Sequence, residues 1–200
     1  MNIIIYNMVW MTWNTLLALF SVMLGWLVFK KKKAQIRWFL VIIWFLFIPN
    51  TIYTLTDLAH LAEQWIMLYG IEKYIVVLQY LFLIVLGIVT FVISLYFFEC
   101  MLTHLLRKKI SESVTHAIIG SMNFIIGFGV IMGRVQRTNS WDIFINPLRV
   151  YYDSIHILSS PLLLIAVFAF GLICNIIYFS AREIYQKTLY SFKKFLVYPP

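Results

Sequence analysis

Five long apolar stretches, at residues 9–29, 36–48, 74–98, 114–133 and 157–179, leave this chain few ways to fold. A helix needs about 20 mostly apolar residues to cross the hydrocarbon core of a bilayer, and four of the five stretches reach that length. No water is on hand there for unpaired backbone N–H and C=O groups, so each stretch must satisfy its own as an α-helix. The expected fold is all-α: a multipass transmembrane helical bundle of about five spans, in one membrane domain covering residues 1–200. Composition agrees, because only 12% of the residues are charged, against about 25% in a soluble globular domain.

Lys and Arg number 16 and Asp and Glu 8. The excess sits in short clusters beside span ends, which suits anionic membrane lipids rather than nucleic acid as partner. Lys30, Lys31, Lys32, Lys33 and Arg37 follow the first stretch, Arg107, Lys108 and Lys109 the third, and Arg182, Lys187, Lys193 and Lys194 the fifth. The other two loops hold only Lys73, and Arg134, Arg137 and Arg149. Basic loops gather in the cytoplasm, so the N-terminus is expected outside and the C-terminus inside, in the cell membrane. The first residues lack the basic n-region of a cleavable signal. In the tail, residues 181–200, Tyr185, Leu189, Phe192 and Leu196 recur at helical spacing away from the lysines, a pattern that can lie on the inner leaflet. Cys100 at a helix end and Cys174 within a span have no spacing suited to a disulfide or structural zinc.

The second stretch alone is too short to cross, and Pro49 ends or kinks it. If the helix resumes beyond the kink, the rise from Ile36 to Asp57 is about 30 Å, which carries Asp57 to the outer boundary of the hydrocarbon. Asp57 and His60 then share a face, with Tyr53 and Thr56 near it. An acid and an imidazole so placed can relay a proton, hold a ligand or bind a metal. The plainer reading is a capping aspartate and a hydrated histidine. Asp153 and His156 repeat the spacing, but a four-ligand metal site from two such short matches is not expected.

The fourth stretch carries Gly129 and Gly133, a small-residue pair that lets helices approach closely. After it come Arg134 and Arg137, then Asn139, Ser140, Trp141 and Asp142. Asn139 or Ser140 can cap a short interfacial helix with Trp141, Phe144, Ile145 and Leu148 on its apolar stripe, until Pro147 disturbs it. Asp142 suits the N-terminal dipole of that helix. The two arginines can pair with Asp57 or Asp142, or present forked donors to an anionic lipid headgroup or phosphorylated ligand. Snorkelling of an arginine is the plain alternative.

The run from Phe47 to Leu61, reading P-N-x-x-Y-x-x-T-D-L-x-H-L from Pro49, is followed downstream by Gly133-Arg134, Asn139-Ser140-Trp141-Asp142 and Asn146-Pro147. In this order the motifs resemble the bacterial membrane family called domain of unknown function 1361, over about residues 38–153. Glu72-Lys73-Tyr74 departs from a W-Y-D-like element of that pattern. The resemblance implies a bacterial multipass membrane protein without an assigned activity. It directs attention to Asn50, Tyr53, Asp57, His60, Arg134, Arg137, Asn139, Trp141 and Asp142 as a group.

The leading expectation is a membrane protein whose outer polar cluster is structural or binds a partner or ligand, with no cofactor. The alternative is an enzyme on a lipid-linked or phosphorylated substrate, with Asp57, His60 or Asp142 catalytic and Asn50, Tyr53, Arg134, Arg137, Asn139 and Trp141 binding. Transport ranks third, since the third and fifth stretches look nearly free of ionisable groups.

Overall fold

The computed structural model describes residues 3–106 and 111–197, and side chains up to residue 186. Among them the chain is helical apart from short connections, with no strand. Five helices are long and apolar enough to cross a membrane. These are α1 (Ile3–Lys30), the compound span Ala34–Trp65, α5 (Ile71–Leu106), α6 (Glu112–Gln136) and the Pro161–Gln186 part of α9 (Pro161–Val197). Each helix outruns its apolar stretch, except that the fifth begins at Pro161. Ile157 belongs instead to α8 (Pro147–Ser159), cut off at Ser160. Cys100 likewise lies within α5 rather than at its end. The basic loop 107–110 and the tail's Lys187, Leu189, Phe192, Lys193, Lys194 and Leu196 side chains lie outside the described residues.

The second span is broken as the proline predicts. It runs as α2 (Ala34–Phe47), α3 (Pro49–Tyr53), a 3-10 turn at Thr54–Asp57 and α4 (Leu58–Trp65). A break inside a bilayer exposes carbonyls that nothing hydrates, and here polar side chains supply the donors. Asn50 Nδ2 donates to Phe47 O (2.9 Å), Thr51 Oγ1 to Ile48 O (2.7 Å), Thr54 Oγ1 to Thr51 O (3.1 Å) and Thr56 Oγ1 to Tyr53 O (2.7 Å). The spacing Asn-Thr-x-x-Thr-x-Thr is thus how this segment survives being irregular.

α1, the second span and α5 pack on one another, while α6 and α9 form a pair. α3 wedges between α1, α5 and α6, and glycine makes the room. A Cβ on Gly87 would lie 1.9 Å from Thr54 Oγ1 and 2.7 Å from Thr51 O, and one on Gly129 would lie 2.8 Å from Pro49 Cγ. Gly133 meets the Tyr53 ring one turn on, so the Gly129/Gly133 pair serves the second span, and the second and fourth spans run parallel. A polar knot fastens the first three spans: Trp44 Nε1 donates to Ser94 Oγ (2.8 Å), which donates to Ser21 O (3.0 Å), and the Trp44 ring stacks on Phe98. α6 and α9 are tied by Asn123 Nδ2 donating to Asn175 Oδ1 (3.0 Å).

The third and fifth helices carry ionisable groups where they run on past their apolar stretches. Glu99 on α5 is 6% exposed, accepts from the Tyr178 hydroxyl, and pairs with Arg182 Nε of α9 at 2.8 Å. Arg182 reaches on to Glu112, at the start of α6, at 2.9 Å. This clamp joins the two packing units at the end of the bundle where α5 ends and α6 begins.

Between α6 and α9 the chain forms α7 (Asp142–Ile145) and α8. The short helix ends where Pro147 is expected to disturb it: α7 stops at Ile145, and Asn146, the residue before the proline, is out of the helical region (φ −142°, ψ 70°). Pro147 then sits in the first turn of α8, where its missing N–H costs nothing, and Asn146 caps that turn by accepting from Arg149 N (3.2 Å).

Candidate functional site

At the end of the bundle opposite the Glu99 clamp, the two stretches singled out in the sequence meet. Asn50 Nδ2 donates to Ser140 Oγ (2.8 Å), the Tyr53 ring lies on Gly133, and Arg134 Nη1 bonds His60 Nε2 (3.0 Å). A guanidinium only donates, so Nε2 is the acceptor and the ring proton belongs on Nδ1, which faces Glu63 at 3.4 Å. The edge of Trp10 closes on the same imidazole.

Asn50, Tyr53, His60, Gly133, Arg134 and Ser140 line a cavity of about 820 Å³, within the roughly 300–1,000 Å³ usual for small-molecule sites. The second span lines it along its length, through Phe45, Leu46, Pro49, Asn50, Tyr53, His60 and Glu63. α1 forms one wall with Tyr6, Trp13, Asn14 and Leu17, and α6 the other with Ile125, Phe128, Met132 and Arg134. Arg137, Thr138, Asn139 and Ser140 come over the top. Trp141 meets Trp13 edge to face at 6.3 Å and so bridges from that connection to α1.

Two expected members stand outside the lining. Asp57 is 2% exposed and accepts from Asn14 Nδ2 (3.2 Å), so Asn14 lies between it and the cavity. Asp142 turns back on its own loop and accepts from Asn139 N (2.7 Å), which holds the approach to α7 from the side opposite to the cap expected of Asn139 or Ser140. Neither acid forms an ion pair with Arg134 or Arg137 among the described residues. Asp153 instead accepts from Thr138 (2.6 Å) and pairs with Arg149 (3.5 Å), while His156 bonds Gln136 (2.7 Å). The two Asp-x-x-His pairs thus go to separate partners, and among the described residues no three His, Cys, Asp or Glu side chains gather to hold a metal.

Arg137 stands out twice. It ends α6 with φ of 55°, a left-handed conformation that costs a side-chain-bearing residue roughly 1–2 kcal/mol and usually falls to glycine. Nor is it needed to cap the helix: Arg149 Nη2 donates to the exposed carbonyls of Gln136 (3.0 Å) and Arg137 (3.4 Å). Arg137 is among the residues that line the cavity, and its guanidinium has no protein acceptor among the described residues.

Sequence reasoning missed Asn14, Trp13 and Glu63. Asn14 was legible: it lies two turns from Asn7 on an otherwise apolar helix, and the two amides share a face. Asn7 is fully buried in reciprocal bonds with Gln64 (2.8 and 2.9 Å), and Asn14 serves Asp57.

The model of the family described as protein of unknown function (DUF1361) matches residues 13–177. No curated protein and no solved structure matches the chain.

Proposed function

The chain belongs to the DUF1361 family, and from that premise we propose that it is a membrane protein that binds an anionic ligand between Arg134 and Arg137, at the outer membrane face. The observation that carries this reading is a cavity with two guanidiniums neither of which pairs with a carboxylate among the described residues. Arg134 has only the neutral His60 nitrogen as its acceptor and Arg137 has no side-chain partner among the described residues, so an anion that accepts two charge-assisted forks would complete both. The strained backbone of Arg137 points the same way, since a purely structural cap would favour glycine there.

The polar cluster divides by role in this reading. Asn50, Tyr53, Trp141 and Asp142 hold the broken span, α6 and the connecting loop together. Arg134 and Arg137 meet the ligand, with Asn139 and Ser140 over it. Binding is favoured over catalysis because the His60 acceptor nitrogen is already taken by Arg134, and Asp57 lies behind Asn14. The outer location rests on the basic loops at the other end.

Native mass spectrometry of the detergent-purified chain tests this, with wild type set against Arg134→Ala and Arg137→Gly. A bound mass in the wild type that is lost from folded variants is expected. A wild type that carries none, or variants that keep it, would refute the reading.

A further inference from the structure

The cavity is charged at one end only. His60, Glu63, Arg134, Arg137 and Ser140 surround its upper part, with the Glu63 carboxylate turned to His60 Nδ1 (3.4 Å), whereas Leu17, Phe45, Leu46, Ile125 and Phe128 surround its lower part. Along α6, Ile125 to Arg137 is about 18 Å at 1.5 Å per residue, so the space descends from the level of the arginines well into the depth of the hydrocarbon. A soluble anion would fill the upper end and leave the lower end empty or wet among apolar side chains. The lower end is also not sealed: Ile125 on its α6 wall is 52% exposed and faces lipid once the helices are in a bilayer.

From this we infer that the ligand is a lipid with a phosphate headgroup, its phosphate between Arg134 and Arg137 and an acyl chain along Leu17, Phe45 and Ile125. The inference rests on the anion reading above and adds the ligand class. Charge complementarity decides for this occupant. A neutral lipid would leave Arg137 without an acceptor and Arg134 with His60 alone, and a peptide helix would bring backbone and bulk that a cavity of about 820 Å³ does not hold. Phosphate, with several acceptor oxygens on one atom, is the group that two forked donors from successive turns of one helix end can share.

The test is a titration of the full chain in detergent, followed by native mass spectrometry and by the thermal unfolding midpoint. The probes are dioleoyl phosphatidic acid, dioleoylglycerol with the same chains and no phosphate, dihexanoyl phosphatidic acid with short chains, and inorganic phosphate. Dioleoyl phosphatidic acid is expected to bind at least tenfold tighter than each of the other three. Arg137→Gly should lose that preference over dioleoylglycerol while its unfolding midpoint without lipid stays or rises. Ile125→Trp, which fills the lower end, should erase the preference for long over short chains. If inorganic phosphate or the short-chain lipid binds as tightly as the long-chain one, the lipid inference fails and the anion reading stands. If dioleoylglycerol binds as tightly as phosphatidic acid, or nothing binds, both fail.

Discussion

Glu99 and Arg182 lie 83 residues apart in sequence and 2.8 Å apart in space, in a region where neither is well hydrated. A buried pair of this kind adds little net stability over apolar side chains, yet removal of one member leaves the other uncompensated. Arg182→Ala should therefore lower stability in detergent by about 3–5 kcal/mol. Glu99→Gln should cost clearly less, because the amide still accepts from Arg182 or Tyr178 and Arg182 keeps Glu112. Chemical unfolding of both variants checks this, and equal losses would mean that the charge is not what the clamp uses. The acid was readable as an anomaly, a carboxylate in a long apolar run. Its partners were not, since nothing local to Glu99 points to the fifth span.

The compound second span shows what an element can and cannot disclose in advance. Pro49 announces a break, and the structure has that break where the proline stands, but that Thr51, Thr54 and Thr56 repair it was not read from the sequence. What holds the broken piece lies on other helices. Gly87 of α5 sits under Thr51 and Thr54, and a bulkier residue would meet a backbone carbonyl that cannot rotate away. Gly87→Val should cost about 3 kcal/mol by overpacking. Thr51→Val, which loses one hydroxyl bond while Ile48 O keeps the Thr51 N–H (3.1 Å), should cost about 1 kcal/mol. The reverse order on thermal unfolding would make the hydroxyls, not the glycine, the main support. Gly129 and Gly133 were legible as a packing pair because their spacing is local. That their partner is the proline of the kinked span needed the fold. Likewise the motifs around Asp57 and Arg134 pointed to one end of the bundle, but which acid faces which base depends on rotamers: Asp57 went to Asn14 and Asp142 to its own loop.

At the scale of the whole molecule, the five helices and their alternation follow from hydropathy, whereas orientation across the bilayer is a separate prediction from loop charge. In a chain with Cys100 and Cys174 replaced by alanine, a membrane-impermeant thiol reagent applied to intact cells should label Tyr69→Cys, at an exposed position between the second and third spans, and not Ser111→Cys. Labelling of Ser111→Cys alone would turn the molecule over and place the arginine cavity inside. The two packing units also bear on how the chain is made. Spans one to three can settle against each other as they are synthesised, but Glu99 must wait for Arg182. At about 5–20 residues per second the 83 intervening residues take roughly 4 to 17 s. Through that interval the nascent third helix carries Glu99 without the Arg182 that later pairs with it, an acid that has water as its partner until the last helix arrives.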